Sequence, residues 1–275
     1  MTKPIRVSNN IKALLEMSLR DDLIITPLLS EFLNKWDGDM SEKAAKWLYK
    51  NMTMRSRNRA ASWSASGAGK CLRRQELAFL GMPVIGSADA HLQMIFFNGT
   101  WLHHKWQAIL LTAGLIDSIE STFKKRSTRT RCTMDGNGTA KMGRYEGREF
   151  GLELKGRNDF QYNKQTLLGI DDQTRAQVDF SFMMTGLDLW VVINEDKNNQ
   201  QIKEWVFSRD DNRVNDMRLQ VKDLNRAIDN QSLHPMIPEC KLQTRNGEFF
   251  KCPFGGKGGA CISSGKWPSR IPKGL

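Results

Sequence analysis

The stretch that decides the fold is RCTMDGNGTAKMGRYEGREFGLELKG, from Arg131 to Gly156. Two glycine-centred turns separate short extended runs, a pattern that reads as a β-meander. In its last run, EFGLELKG, side chains alternate between the faces of a strand. Phe150, Leu152 and Leu154 point one way; Glu149, Glu153 and Lys155 point the other, with Gly151 between them. A carboxylate beside an ammonium can bind a metal ion and orient water. The same spacing also suits a half-exposed strand with a solvated, charged face. Asp135 ends an earlier extended run, just before a turn expected at GNG. A meander would bring it beside Glu153, and two converging carboxylates make a hard-oxygen site suited to Mg²⁺ or Mn²⁺. Asp-Gly is also a common turn pair, so Asp135 has a purely local reading too.

Toward the N-terminus the texture is helical. IKALLEMSL, LLSEFLNKW and AAKWLYKNM carry apolar residues at helical spacing, and Asp39 or Ser41 suits a cap for the third. SWSASGAGK reads as a loop, and CLRRQELAFLG as a helix ending at Gly81. Residues 87–115 read as one or two helices broken near Gly99. Toward the C-terminus a polar loop precedes a helix over DDQTRAQVDFSFMMTG, with Asp171 as its candidate cap. LDLWVVIN and QIKEWVFS read as strands, and DDNRVNDMRLQVKDLNRAID as an amphipathic helix. The order implies an α/β fold with a mixed sheet flanked by helices. Three regions are expected: an N-terminal helical lobe over 1–60, a core over 61–232 and an irregular C-terminal tail over 233–275.

The 275 residues and 40% hydrophobic content suffice for a packed core. No apolar run is long enough for a membrane helix, and MTKPIRVSNN lacks the apolar core of a secretory signal, so a cytoplasmic location is expected. Forty-one basic against 30 acidic residues give a net charge of +11, which favours polyanionic partners. Basic residues cluster at Arg55–Arg59, at Lys70, Arg73 and Arg74, and from Lys124 to Arg131; Arg73 and Arg74 are candidate nucleic-acid contacts. GAGKC is not a phosphate-binding loop, because Cys71 follows Lys70 and the G-x-x-x-x-G-K-[ST] frame is missing.

Taken together in order, these elements resemble the PD-(D/E)XK nuclease superfamily in its RecB-like exonuclease branch. That branch runs G-x-x-x-H on a helix, then Asp, then E-x-K, then Q-x-x-x-Y on the next helix. This chain has Gly99-Thr-Trp-Leu-His103, Asp135, Glu153-Leu154-Lys155 and Gln177, with Gly186 nine residues further on. The resemblance implies a restriction-endonuclease-like core, DNA exonuclease activity on ends or single strands, and a role in phage or mobile-element recombination or replication. It implies that His103, Asp135, Glu153 and the Leu154 carbonyl bind the metal. Lys155 would orient or deprotonate the attacking water, and Gln177 would support the site. The sequence departs at the tyrosine position, which is Ser181. His104 neighbours His103, but on a helix the two point about 100° apart.

The five cysteines are Cys71, Cys132, Cys240, Cys252 and Cys261. An odd count in a reducing compartment argues against a disulfide framework. Some RecB-like members carry one cysteine ahead of the nuclease motifs and three behind, holding a four-iron four-sulfur cluster. By that resemblance Cys71, Cys240, Cys252 and Cys261 would ligate a 4Fe-4S cluster and staple the tail to the N-terminal region. Zn²⁺ on the same thiolates, or free cysteines, are the alternatives. Cys132 reads as a packing residue. A non-catalytic nucleic-acid binder with a stapled tail is the rival function, and it differs in having no use for an acidic site.

Overall fold

A computed structural model describes residues 21–51, 61–84 and 90–237, together with Cys252, Phe254 and Cys261. The helix expected over IKALLEMSL, the Arg55–Arg59 cluster and Cys240 lie outside the described residues. The fold is mixed α/β, with sheets flanked by helices. No described helix is long and apolar enough to cross a membrane.

A five-stranded sheet forms the centre, in the order β2 (Ser118–Ile119), β5 (Gly136–Thr139), β6 (Glu149–Arg157), β7 (Leu189–Asp196) and β8 (Ile202–Ser208). Only β6 and β7 are parallel; the other pairs are antiparallel. A smaller sheet orders β1 (Trp63–Ser64), β4 (Thr130–Thr133) and β3 (Thr122–Lys125). All eight residues of β7 are buried, as expected of a strand covered on both faces.

Alternation along the strands sorts the core into two layers. Phe150, Leu152 and Leu154 of β6 share one cluster with Leu189, Val191 and Ile193 of β7. The helices covering that face are α1 (Thr26–Lys35), α2 (Glu42–Asn51) and α4 (Ala90–Thr112), through Leu29, Ala44, Trp106 and Leu110. Trp190 and Val192 point to the opposite layer, beside α6 (Asp172–Thr185) and α7 (Asp211–Asp229) through Phe182, Val214 and Leu224. Gly151 makes this layer possible, since a Cβ there would stand 2.4 Å from the Trp190 ring. Against the first layer α1 and α2 pack directly, so the described part of the helical N-terminal region shares the sheet's core.

Local signals account for several boundaries. The Asp171 carboxylate accepts from Thr174 N at 2.7 Å and caps α6. Ser41 Oγ accepts from Ala44 N at 3.3 Å at the start of α2. Between Cys71 and Leu80 lies α3 (Leu72–Phe79).

Three expectations are corrected. GNG is not a turn but the start of β5. Its glycines answer to packing: a Cβ on Gly138 would lie 2.9 Å from the Leu115 carbonyl oxygen, and one on Gly136 would lie 3.1 Å from Ile116 Cδ1. The helix expected to break near Gly99 runs unbroken from Ala90 to Thr112; a single mid-helix glycine costs only ~1 kcal/mol, too little to end it. The polar loop after β6 contains α5 (Asp159–Leu168), whose N-terminus is capped by Asn158 Oδ1 accepting from Gln161 N at 2.8 Å.

Candidate active site

Asp135 sits where the chain forks. β4 ends at Thr133 in the small sheet and β5 begins at Gly136 in the large one, and Asp135 bridges them beside β6. Its N–H donates to the Leu152 carbonyl at 3.1 Å. Its Oδ2 accepts from the Leu154 N–H at 2.7 Å, and its Oδ1 lies 3.1 Å from His103 Nδ1. The strand bearing Glu153 and Lys155 runs alongside, and those side chains form an ion pair at 2.5 Å. His103, Asp135, Glu153 and Lys155 are thus neighbours, although 52 positions separate the first from the last.

Their electrostatics are coupled. Burial pushes the Asp135 carboxyl up, but His103, the Leu154 N–H and Lys155 outweigh it, so the pKa falls below the ordinary value. Burial also raises Glu153, and the Asp135 charge adds to it; Lys155 opposes both without reversing them. Burial alone would lower His103, yet Asp135 and Glu153 push it up to about 8. His104 turns away. It is buried between Trp47 and Trp101, at ring distances of 5.2 and 5.7 Å, and burial lowers its pKa.

Among the described residues, no three His, Cys, Asp or Glu side chains are grouped so as to hold a metal ion. His103 and Asp135 bond each other, and Glu153 bonds Lys155. The donor set still fits a hard divalent ion, with one imidazole and two carboxylates, one of them buried with a raised pKa and in need of a cation. Charge on such an ion would supplement or displace the His103 proton and the Lys155 ammonium.

Two residues escaped sequence reasoning. Gln107, fully buried one helical turn beyond His103, donates from Nε2 to the Asp135 carbonyl oxygen at 2.7 Å and to Glu120 Oε1 at 3.2 Å. α4 therefore grips Asp135 twice, His103 on its side chain and Gln107 on its main chain. Glu120 holds a left-handed backbone at φ +52°, a conformation uncommon for a side-chain-bearing residue. The i,i+4 spacing from His103 to Gln107 was the available signal, and a lone glutamine at that spacing has too many ordinary readings.

Other expected residues are placed differently. Gln177 is buried on α6, and among the described residues the hydrogen bonds to the two carboxylates come from His103, Leu154 and Lys155 rather than from it. Ser181, at the expected tyrosine position, donates to the Gln177 carbonyl at 2.8 Å and lies 3.4 Å from Cys132 Sγ. Burial pushes the Cys132 thiol up to about 12, which suits inert packing. Arg73 requires correction as a nucleic-acid contact. It is 3% exposed and donates to the His234 carbonyl at 3.0 Å, so it ties the chain to itself. Arg74 is half-buried and lines, with Lys70, a cleft of about 410 Å³ whose walls include neither Asp135 nor Glu153.

Cys71, Cys132, Cys252 and Cys261 are free thiols. Cys261 is buried with Leu77 and Phe254, and Cys252 packs against that cluster. Burial raises the Cys261 pKa, and the nearby Cys252 and Cys71 raise it further against the pull of Arg73. Cys252 and Cys261 share a cluster with Leu77 of α3, and Cys71 immediately precedes that helix, although among the described residues no three such side chains are grouped so as to hold a metal ion. His234 clamps the same place: its Nδ1 bonds Glu76, its Nε2 lies 2.8 Å from Asp223 Oδ2, and its N–H donates to Glu76 at 2.9 Å.

Burial alone would lower the His234 pKa, but Glu76 and Asp223 outweigh it and raise it above the usual value. A raised folded-state value means that the charged clamp stabilises fully below the unfolded pKa of about 6.5 and is lost as pH rises through the folded one. The melting-temperature gap between the natural protein and His234→Ala is therefore expected to be widest near about pH 6 and narrower near about pH 8.5. A gap independent of pH would refute the charged clamp.

No family model matches the chain, and no curated protein matches its sequence. Among solved structures it is similar to the crystal structure of LHK-Exo in complex with dAMP, at 15% identity and a TM-score of 0.47, covering 63% of this chain and 90% of that one. It is also similar to the crystal structure of an alkaline exonuclease, LHK-Exo, from Laribacter hongkongensis, at 15% identity and a TM-score of 0.47, covering 68% of this chain and 93% of that one.

Proposed function

We propose that this chain is a metal-dependent DNA nuclease that hydrolyses phosphodiesters from DNA ends or single strands. The observation that carries the reading is the junction of His103, Asp135, Glu153 and Lys155 at the fork between the two sheets. A pure binder of polyanions gains nothing from two buried carboxylates near phosphate, whereas a hydrolase needs them. The net charge of +11 supplies the attraction for the substrate.

His103, Asp135 and Glu153, with the Leu154 carbonyl, would hold Mg²⁺ or Mn²⁺. Such an ion supplies acidity for water and positive charge for the phosphate oxygens. The Leu154 N–H fixes one Asp135 oxygen, so the other remains directed toward His103. Gln107 holds the main chain of Asp135 from behind. Lys155, two residues from Glu153 on the same strand face, orients the attacking water and stabilises charge on the phosphate. Gln177, buried on α6, would support the site without bonding either carboxylate.

The direct test is incubation of end-labelled single- and double-stranded DNA with the intact protein and Mn²⁺. Products released only with the ion are expected; binding without any cleavage would favour the non-catalytic binder. Because His103 carries a proton below about 8, the ion must displace it. Mn²⁺ affinity measured by calorimetry is expected to rise by roughly tenfold per pH unit up to that value and then level off. An affinity flat with pH would remove His103 from the ligand set.

The packing of Cys252 and Cys261 against α3, which Cys71 precedes, supports a second part of the proposal: Cys71, Cys252 and Cys261, with Cys240, hold a 4Fe-4S cluster, Zn²⁺ being the alternative. A glycine-rich tail buries little apolar surface, and metal–thiolate bonds would offset its ordering entropy. Cys261→Ala is expected to lose visible absorbance and to melt lower. Undiminished colour in protein purified without oxygen, with an unchanged melting temperature, would count against the staple.

A further inference from the structure

The helix that carries His103 has a second feature. From Gln93 to Asn98 every side chain of α4 is exposed, and from Gln93 to Trp101 none is charged. Two faces of this projecting segment differ. Phe97 and Trp101 pair at 5.9 Å, and Trp101 continues to His104 and Trp47, so that face packs toward α2. Phe96 faces elsewhere, about 100° round the helix, and is 61% exposed. Seven residues separate Phe96 from His103, nearly two full turns, which places them on one face about 10 Å apart along the axis.

The lane between them is open. A Cβ built on Gly99 would meet nothing within 4 Å, so no protein atom requires a glycine there. Thr100 folds its hydroxyl back onto the Phe96 carbonyl at 3.2 Å rather than projecting it. A mid-helix glycine destabilises a helix relative to alanine, and an exposed phenylalanine forgoes its burial. A flat ligand passing along this face accounts for both.

We propose that Phe96 is a base-stacking subsite that receives an unpaired nucleotide of single-stranded DNA and leads the strand past Gly99 to His103. The inference rests on the nuclease reading and extends it to the substrate class. The basic chain draws the phosphates, while a charge-free strip beside the centre discriminates through the base faces. Duplex DNA has its bases stacked on each other and offers no free face to Phe96.

The test uses the full chain without added divalent ion, so that binding is read without cleavage. Fluorescence anisotropy compares an oligothymidylate with an abasic strand of the same length, for the natural protein, Phe96→Ala and Phe96→Trp. The natural protein is expected to prefer the base-bearing strand by roughly five- to a hundredfold. Phe96→Ala should erase the preference and Phe96→Trp should keep it. An unchanged preference in Phe96→Ala overturns the subsite. So does a change of oligomeric state in Phe96→Ala, by size-exclusion chromatography, with base preference intact; that face would then be a contact between copies of the chain. A protein that cleaves nothing with Mn²⁺, yet loses base preference in Phe96→Ala, supports the subsite and sinks the catalytic reading alone.

Discussion

Asp135→Asn is expected to lower Mn²⁺-dependent DNA cleavage by about 10²- to 10⁴-fold while the protein stays folded. The substitution preserves shape and removes one charge. What is lost follows from the position: one oxygen accepts from the Leu154 N–H and the other faces His103. An asparagine amide can keep an oxygen on Leu154 only by turning its NH₂ toward the imidazole, which takes away a metal donor and the charge that raises His103. The main-chain bonds to Leu152 and Gln107 are untouched, so the fork between the sheets should persist. Cleavage rates on labelled DNA, with circular dichroism and thermal melting as controls, decide it. Activity within about threefold of the natural protein, at matched melting temperature, would move the chemistry away from Asp135.

The second large effect concerns stability. Glu204 of β8 is buried, and its carboxylate accepts from the N–H groups of Ile24 and Ile25, from the N–H of Thr26 at 2.6 Å and from the Thr26 hydroxyl at 2.5 Å. These are the orphan donors at the start of α1, and α1 has no side-chain cap of its own. The negative charge also meets the positive end of the helix. Glu204→Leu would bury three N–H groups without an acceptor, at about 1–3 kcal/mol each. We expect a loss of about 3 kcal/mol or more, and a fall in melting temperature of roughly 6–20 °C. Glu204→Gln keeps an acceptor and should cost clearly less. Equal melting temperatures for Glu204→Leu and the natural protein would show that water reaches these donors.

Several elements were legible because their signals are local. The alternation of EFGLELKG sorted Phe150, Leu152 and Leu154 from Glu153 and Lys155, and the strand places them on those faces. The unbroken apolar run of LDLWVVIN marked a central strand, and Asp171 announced the start of α6. The reading failed where a residue type has two uses. GNG resembles a turn, but its glycines make room for Leu115 and Ile116. Arg73 resembles a phosphate contact, but it is buried against the tail. The helix α5 has weak apolar periodicity and was hidden in a polar stretch, although Asn158 caps it.

By itself the sequence determined the long strands, most helices and the set of side chains proposed here as metal ligands, because pleat, helical period and capping act over two to four residues. Only the tertiary structure decided that Asp135 lies at a fork between two sheets, that Gln107 grips its carbonyl and that Glu204 caps a helix about 180 positions earlier. Those contacts join groups with no shared local period. They exist because burial leaves each desolvated donor in need of an acceptor, and the path of the chain through the core determines which one is within reach.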